Sequence, residues 1–444
     1  MKNYIKISKP IKPFNKSLAI EGDKSLSIRW ALLASQAKGK STCVNILKSE
    51  DVINTLKCLK KLGIRYRLSK NSCDIIGNGM NGFKYKNDII LDAGNSGTLG
   101  RLILGLLVHS KKKVLIKGDQ SLSQRDFRRI TSPLEKFGAK FKTNSGKLPI
   151  SISGTKFPKP IRYNELKGSA QCKSSVMLAA LNTKGTTIIK AKKSRNHSEI
   201  LFKYLKLLIN IKKNKSFDYI KITGGKNISP FNYKIPSDIS SCAFFIVLTI
   251  LSKNSKLKLK NVNINHTRTG VLQILRLMGA SIKVKNKKFY RGESVADLII
   301  KSEGSIKPIN SPIKLNSSAI DEFLLIFLVA AKANGISNFK NLSELNQKES
   351  PRLLWGSKIL NKMGIKTIVT ASSIKIYGNP NIKIKKDIII KKFMKDHRVF
   401  MTSVIAALCF GGNWKISDKD CVKTSFPSFI SKIKSLGANF SSIT

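Results

Sequence analysis

The chain has 444 residues, of which 41% are hydrophobic, and it carries a formal net charge of +57. Its apolar runs are too short to cross a bilayer, its N-terminal segment lacks the apolar stretch of a secretory signal, and its seven cysteines show no CxxC spacing. These features exclude a membrane span and argue against a disulfide framework or a zinc site. We expect a cytoplasmic, two-domain protein without a metal or cofactor.

Six short polar segments, each followed by a long apolar stretch, recur roughly 75 residues apart. They begin at Asp23, Asn95, Ser169, Asp238, Asp321 and Asp396. About 40 residues after each start comes a residue suited to a left-handed helix end: Gly63, Gly138, Asn210, Gly279, Gly364 and Gly437. The spacing predicts six copies of one αβ unit, three to a domain.

Within each repeat, the apolar stretch predicts a helix that is buried on all faces, followed by a strand, an amphipathic helix and further strands. Examples in chain order are helices at 98–107, 243–251, 323–331 and 399–408, and strands at 186–189, 256–262 and 281–285. If the buried helices bundle in parallel, the polar segments share one face. Their N-termini would then form an anion site.

Arginines strengthen this prediction, because an arginine in a lysine-rich chain suggests a bidentate anion contact. Seven lie in or beside the polar segments: Arg29, Arg101, Arg125, Arg195, Arg268, Arg352 and Arg398. The alternative is that Asp, Ser and Asn only cap their helices. Capping alone does not explain why lysine, arginine and glutamine recur beside the caps.

The large positive charge admits two interpretations. Lysines are spread through every loop, and Asn and Ile are also abundant, which favours a composition bias with a solvated lysine surface. A basic nucleic-acid-binding protein is the alternative. It predicts aromatic residues interleaved with clustered charge, whereas aromatics make up only 7% of this chain. No specific nucleic-acid partner is therefore expected.

The first polar segment, EGDKSLSIR at 21–29, resembles the opening motif of the 5-enolpyruvylshikimate-3-phosphate synthase family. Further motifs follow in family order: NSGTLGR at 95–101, GDQSLSQR at 118–125, SAQCK at 169–173, RNHSE at 195–199, NHTR at 265–268, KESPR at 348–352, DHR at 396–398 and SFP at 425–427. The patterns GDK, SAQxK, RxHxE and NxTR are similar to those of the family's class II branch. The resemblance covers essentially the whole chain.

The resemblance implies transfer of the enolpyruvyl group of phosphoenolpyruvate to the 5-hydroxyl of shikimate 3-phosphate, with release of phosphate. It implies an α/β fold, a two-domain inside-out α/β barrel of six βαβαββ units. The expected domains are 1–21 with 238–444, and an inserted 22–237, with a hinge near 21–22 and 236–238 that closes on substrate. A monomer is expected. The nearest alternative, UDP-N-acetylglucosamine enolpyruvyl transferase, has a lysine–asparagine pair where this chain has Lys24 and Ser25. It also has a cysteine in the loop at 118–129, where this chain has none.

The resemblance also implies site residues. Shikimate 3-phosphate would be bound by Lys24, Ser25, Arg29, Ser169, Ala170, Gln171, Arg195, Asp321 and Lys348. Phosphoenolpyruvate would be bound by Lys24, Gly97, Arg125, Gln171, Arg352 and Arg398, the last two holding its carboxylate.

For the chemistry, Asp321 is the expected base for the hydroxyl and Glu349 the expected acid for the methylene carbon, with Lys24 as a partner in proton transfer. Simpler roles stay open: Asp321 as the N-cap of the helix at 323–331, Glu349 in a surface salt bridge with Lys348, and His397 as an orienting core residue. The family's last phosphate-binding lysine aligns with Thr424, next to Lys423.

Overall fold

The structure is a computed structural model that describes residues 3–110 and 112–443. The chain divides into two compact units. The first unit is Met1–Ile20, Ser237–Lys288 and Ser294–Thr444, and the second unit is Glu21–Pro236 with Phe289–Glu293. The predicted domains assigned residues 289–293 to the first unit, because nothing in the sequence indicates that this short segment packs with the second unit. Residues 1–2 and 444, at the outer limits of the predicted domain 1–21 with 238–444, lie outside the described residues.

Helices occur throughout both units. In chain order they are α1 (Lys24–Ser35), α2 (Glu50–Lys61), α3 (Gly97–Leu107), α4 (Gln120–Ser123), α5 (Arg128–Glu135), α6 (Ala170–Leu181), α7 (His197–Tyr204), α8 (Ile239–Leu251), α9 (Gly270–Leu277), α10 (Asn316–Ala319), α11 (Phe323–Lys332), α12 (Arg352–Met363), α13 (His397–Phe410) and α14 (Phe429–Ser435).

Strands are mostly short. In chain order they are β1 (Tyr4–Ile7), β2 (Asn15–Leu18), β3 (Lys38–Val44), β4 (Arg65–Leu68), β5 (Ser72–Asn78), β6 (Ile89–Asp92), β7 (Val114–Lys117), β8 (Lys140–Asn144), β9 (Lys147–Ser153), β10 (Arg162–Glu165), β11 (Thr186–Lys192), β12 (Ile209–Lys213), β13 (Phe217–Thr223), β14 (Asn232–Lys234), β15 (Lys256–Asn263), β16 (Ser281–Tyr290), β17 (Glu293–Lys301), β18 (Gly335–Phe339), β19 (Thr367–Val369), β20 (Ile374–Gly378), β21 (Ile388–Ile390), β22 (Trp414–Ser417) and β23 (Ser441–Ile443).

The strands form small sheets, most of which mix parallel and antiparallel pairs. In the second unit the orders are β14-β3-β5-β4, β6-β7-β9-β8 and β10-β11-β13-β12; in the first unit they are β16-β17-β15-β2, β21-β22-β1-β23 and β18-β20-β19. Each four-stranded sheet contains one parallel pair, formed by β14 with β3, β6 with β7, β10 with β11, β2 with β15 or β21 with β22. The mixed α/β class is confirmed.

Helices that follow the polar segments form the core of each unit. They are α1, α3 and α6 in the second unit and α8, α11 and α13 in the first. In α8, all residues from Ile239 to Ile250 are buried. A helix that is apolar on every face avoids water only inside such a bundle.

Five of these helices are capped by a side chain from the polar segment. Asp23, Ser96, Ser169, Asp238 and Asp396 each accept a hydrogen bond from a backbone N–H in the first turn. The capping interpretation is therefore correct for these helices, with Ser96 rather than Asn95 as the cap of α3. Helix α11 differs, because its N-cap position is Glu322 and no side chain caps it. The N-cap interpretation of Asp321 is wrong.

The left-handed residues follow the repeat with one exception. The predicted glycines have φ angles of 84°, 105°, 91°, 93° and 101° at Gly63, Gly138, Gly279, Gly364 and Gly437. The prediction for Asn210 is wrong, because this residue lies in strand β12. Helix α7 ends at Tyr204, and the nearby residue with a positive φ is Lys206, at 55°.

Candidate functional site

The N-termini of α1, α3 and α6 converge in the second unit. Arg101 Nη1 of α3 donates to Gln171 Oε1 of α6 at 2.7 Å, and Gln171 Nε2 donates to Thr98 Oγ1 at 3.0 Å. Arg29 Nη2 of α1 donates to Ser174 Oγ of α6 at 3.2 Å. Three helix N-termini with arginines between them favour bound anions. We call Lys24, Ser25, Arg29, Gly97, Arg101, Arg125, Ser169, Ala170, Gln171 and Arg195 the second-unit cluster.

Gly97 makes room for two guanidinium groups. A Cβ atom there would lie 2.8 Å from Nη1 of Arg101 and 2.9 Å from Nη1 of Arg125. Side chains larger than hydrogen would therefore displace one or both arginines. The guanidinium of Arg101 also lies 5.1 Å from the Phe127 ring centroid. Arg101 is a site residue that was not among the substrate-binding residues predicted from the sequence. The sequence feature that could have identified it is an arginine one helical turn after Gly97.

Arg29 is the most deeply buried cation of this cluster. It is 5% exposed, and its Nε donates to Ser198 Oγ at 2.8 Å while its Nη1 donates to the Ser25 carbonyl at 3.1 Å. Lys24, which opens α1, forms an ion pair of 2.8 Å with Asp51. Neither Ser198 nor Asp51 was predicted, because their contacts join residues far apart in sequence.

The remaining predicted residues of the second unit lie at helix starts. Ser169 caps α6 by accepting from the Cys172 N–H at 3.3 Å, and its own N–H donates to Glu165 Oε2 at 2.8 Å. Ala170 is the first residue of α6, and Arg195 lies two residues before α7; both are partly exposed. Most predicted residues of the second unit thus lie at or next to the N-terminal ends of its helices. Arg29 lies in the second turn of α1 and reaches back to the Ser25 carbonyl, and Arg125 follows the end of α4 by two residues.

The first unit contains a cluster of charged groups around Arg352. This guanidinium is 2% exposed, and its Nε donates to Asp396 Oδ2 at 2.9 Å and its Nη2 to Asp396 Oδ1 at 3.2 Å. Arg352 Nη1 lies 3.4 Å from Asp321 Oδ1, and its Nη2 also donates to Glu349 Oε2. Lys348 Nζ pairs with Asp321 Oδ1 at 3.3 Å. One guanidinium therefore contacts both predicted catalytic carboxylates.

Electrostatics keep the centre of this cluster ionised. Burial alone would lower the pKa of Arg352, but the carboxylates of Asp396, Glu349 and Asp321 outweigh it and raise that pKa above its ordinary value. Burial likewise raises the pKa of Asp396, but the attraction of Arg352 outweighs it, and the net pKa lies below 3.8. A buried charge is stable here because each partner supplies hydrogen bonds as well as opposite charge.

Arg398 links the N-termini of α13 and α11. Its Nη1 donates to the Asp321 carbonyl at 2.6 Å and lies 3.5 Å from Glu322 Oε1. Glu322 in turn accepts from Ser240 Oγ of α8 at 2.5 Å. The N-termini of α8, α11 and α13 therefore converge, as those of the second unit do. We call Asp321, Lys348, Glu349, Arg352, Asp396 and Arg398 the first-unit cluster.

Several alternative roles are resolved by these contacts. The proposed surface salt bridge between Glu349 and Lys348 is not observed, because Glu349 pairs with Arg352 and Lys348 with Asp321. His397 is buried, and its Nδ1 lies 3.4 Å from Thr424 Oγ1, which suits an orienting core histidine. Lys423 is 57% exposed at its side chain and pairs with Asp420 at 2.7 Å.

Within residues 3–110 and 112–443, no three or more His, Cys, Asp and Glu side chains are grouped so that they could hold a metal ion. The same residues include no helix whose length and apolarity would let it span a membrane.

Comparisons with known proteins agree with the motifs. Residues 8–433 match the family model described as EPSP synthase (3-phosphoshikimate 1-carboxyvinyltransferase). A 3-phosphoshikimate 1-carboxyvinyltransferase from Ruthia magnifica subsp. Calyptogena magnifica is 40% identical over 434 residues, which cover 98% of each chain. The structure of EPSP synthase from Acinetobacter baumannii is similar with a TM-score of 0.87, 33% identity and full coverage of both chains. The enolpyruvyl transferase NikO from Streptomyces tendae, at 13% identity and a TM-score of 0.79 with 100% of this chain and 99% of that chain covered, shares the fold.

Proposed function

Because the chain belongs to the EPSP synthase (3-phosphoshikimate 1-carboxyvinyltransferase) family, we propose that its two clusters divide the work of one enolpyruvyl transfer. The enzyme transfers the enolpyruvyl group of phosphoenolpyruvate to the 5-hydroxyl of shikimate 3-phosphate and releases phosphate, a step of aromatic amino acid biosynthesis. The family and the activity predicted from the motifs are confirmed. The roles of individual residues are our proposal.

Shikimate 3-phosphate is assigned seven residues of the second-unit cluster: Lys24, Ser25, Arg29, Ser169, Ala170, Gln171 and Arg195. The resemblance also assigns it Asp321 and Lys348 of the first-unit cluster. Arg195 contacts its phosphate. Lys24 and Ser25 lie at the start of α1, where backbone N–H groups favour an anion, and Arg29 reaches back to the Ser25 carbonyl from the second turn. Ser169, Ala170 and Gln171 provide the corresponding groups at the start of α6. The buried hydrogen bonds of Arg29 support this role, because they fix its guanidinium before substrate arrives.

Phosphoenolpyruvate takes its phosphate contacts from Lys24, Gly97, Arg125 and Gln171. Gly97 supports this assignment, since the absence of a side chain lets two guanidinium groups approach the start of α3. Arg352 and Arg398 receive the carboxylate. Nε and Nη2 of Arg352 hold Asp396, so the carboxylate approaches the Nη1 side, where the contact with Asp321 is 3.4 Å long.

The chemistry is an addition followed by an elimination. Asp321 takes the proton of the 5-hydroxyl as its oxygen bonds to C2 of phosphoenolpyruvate, while Glu349 gives a proton to C3. Glu349, now a carboxylate, then takes a proton from C3 as the double bond forms again, the C2–O bond to phosphate breaks and phosphate leaves. Lys24 assists these proton transfers. Each such acid or base contributes about a hundredfold to ten-thousandfold to the rate.

One observation carries this proposal: a single buried guanidinium, Arg352, contacts both Asp321 and Glu349. The base acts on the hydroxyl of shikimate 3-phosphate and the acid on C3 of phosphoenolpyruvate, next to the C2 that this hydroxyl attacks, so the two groups must lie close together, and this contact is consistent with that requirement. The direct test is phosphate release from phosphoenolpyruvate with shikimate 3-phosphate as acceptor. Replacing the acceptor by UDP-N-acetylglucosamine should abolish release; activity with that acceptor alone would favour the alternative transferase.

Asp321 is tested by Asp321→Ala, with Asp387→Ala as the matched control on an exposed residue of the same unit. We expect near-normal binding of shikimate 3-phosphate with turnover lowered by about two to four orders of magnitude. The control should keep its activity. Full activity in Asp321→Ala would remove Asp321 from the mechanism.

The fold, compartment and assembly have finer details that we also propose. The six sheets support six βαβαββ units arranged as an inside-out barrel, three to a domain. We propose action in the cytoplasm, where the seven cysteines, none of which is paired in a disulfide among the described residues, stay reduced. We further propose a monomer, and sedimentation at several protein concentrations would test it.

A further inference from the structure

The first turn of α7 holds substrate-binding groups of the second unit in place. Ser198 Oγ accepts from Arg29 Nε at 2.8 Å and shares a hydrogen bond of 2.7 Å with Ser174 Oγ. Glu199 Oε1 lies 2.5 Å from Lys173 Nζ, and both side chains are buried. The position of this turn therefore sets where the guanidinium of Arg29 points.

Another face of α7 is covered by a tight turn between β16 and β17. Arg291 and Gly292 have φ angles of 52° and 85°, as a two-residue type I′ hairpin turn requires. The guanidinium of Arg291 lies 4.8 Å from the Tyr204 ring centroid. A Cβ atom on Gly292 would lie 2.8 Å from Ile200 Cγ2, so the backbone of the turn approaches α7 closely.

Glu293 completes the contact along this face. Its Oε1 lies 2.6 Å from His197 Nδ1, and both side chains are 0% exposed. Residues 197, 200 and 204 are spaced so that they share one face of the helix. The contact of Glu293 Oε1 with Nδ1 holds the imidazole of His197 in one orientation.

Together these contacts hold α7 between the turn on one side and α1 and α6 on the other. We propose that Glu293 and His197 are positioning residues for shikimate 3-phosphate. Their buried pair fixes the start of α7, and through it Ser198, Arg29 and the neighbouring Arg195. This inference rests on the proposed function, in which Arg29 and Arg195 bind that substrate.

The test compares Glu293→Ala and Glu293→Gln with Glu135→Ala, which removes an exposed carboxylate from the same unit. For Glu293→Ala we expect KM and Kd for shikimate 3-phosphate to rise about tenfold or more, because the start of α7 is no longer held. At saturating shikimate 3-phosphate, kcat and the KM for phosphoenolpyruvate should change less than about threefold. Glu293→Gln keeps an acceptor in place and should restore binding to within about threefold of wild type.

Gly292→Ala is a second test, because it leaves Glu293 and His197 unchanged. The added Cβ would push the turn away from Ile200, so the KM for shikimate 3-phosphate should rise here too. Unchanged binding of shikimate 3-phosphate in both Glu293→Ala and Gly292→Ala would overturn the inference. Equal losses of affinity for both substrates, in parallel with a loss of thermal stability, would also overturn it. Wild-type activity is measured first. No phosphate release there overturns the proposed function as well, whereas an active wild type with unaffected variants overturns this inference alone.

Discussion

Replacing Arg352 by lysine tests the central contact of the first-unit cluster. The guanidinium uses three nitrogens to reach three carboxylates, with two bonds to Asp396 and one each to Asp321 and Glu349. An ammonium is a single nitrogen and cannot span these acceptors. We expect Arg352→Lys to keep about two of the four contacts and to leave the others unmade.

The magnitude follows from the burial of the group. A hydrogen bond to a charged partner contributes about 1.5–3 kcal/mol, and full burial leaves no water to replace it. Two lost bonds therefore cost about 3–6 kcal/mol, which lowers kcat/KM for phosphoenolpyruvate roughly a hundredfold to ten-thousandfold if the cost falls on the transition state. Leaving Asp396 underpaired should also lower the free energy of unfolding by up to about 3–5 kcal/mol.

Steady-state phosphate release at saturating shikimate 3-phosphate measures the first effect, and urea unfolding measures the second. The matched control is Arg276→Lys, an exposed arginine of the same unit whose Nε and Nη2 bond only to the Ile282 carbonyl. That variant should stay within about twofold of wild type. If Arg352→Lys also keeps kcat/KM within threefold of wild type, the planar guanidinium of Arg352 is not what organises Asp321 and Glu349.

Three further predictions concern other parts of the molecule. Gly97→Ala should fold, because the added Cβ meets only the ends of flexible side chains. In initial-rate assays it should raise the KM for phosphoenolpyruvate about tenfold. The KM for shikimate 3-phosphate should stay nearly unchanged. Burial raises the pKa of Asp396, but Arg352 outweighs it and holds the pKa below 3.8, so the stability from this pair is present above about pH 4 and is lost as pH falls further. The difference in Tm between wild type and Asp396→Asn should therefore narrow below pH 4 in thermal scans; a constant difference would contradict the assignment. Burial raises the pKa of Cys58 and Cys73 to about 12, so both thiols should react with a thiol reagent at pH 7 only after denaturation, and fast labelling of the native protein would disprove this.

Local features of the fold could be predicted from the sequence because they depend on local chemistry. Helices that are apolar on all faces are buried in the structure, and each predicted glycine has a positive φ, since only glycine takes that conformation without strain. Asn210 failed because periodicity placed the helix end, whereas the chain turns earlier, at Lys206. The segment 289–293 was assigned to the other unit, because its contacts with α7 are long-range and leave no periodic signal.

The site shows the same division between local and long-range information. Asp396 was predicted as a helix start, and its side chain does accept from the Arg398 N–H at 2.9 Å. The same carboxylate also binds Arg352 and accepts from Ser350 Oγ at 2.9 Å. The cap depends on neighbouring residues and is visible in the sequence. The contact with Arg352 depends on how α12 packs against α13, which no motif encodes.

The positions of the arginines carried part of this long-range information. Among the arginines near the polar segments, Arg29, Arg268 and Arg352 are at most 5% exposed. Other arginines, which the motifs did not single out, are exposed: Arg65, Arg67, Arg128, Arg162 and Arg276. In a chain that uses lysine by default, arginine is needed where one side chain must reach several buried acceptors, because the guanidinium remains charged and directs its donors in a fixed plane. Arg291, outside the motifs, uses its planar guanidinium differently, since it lies 4.8 Å from the Tyr204 ring centroid at the turn that packs on α7.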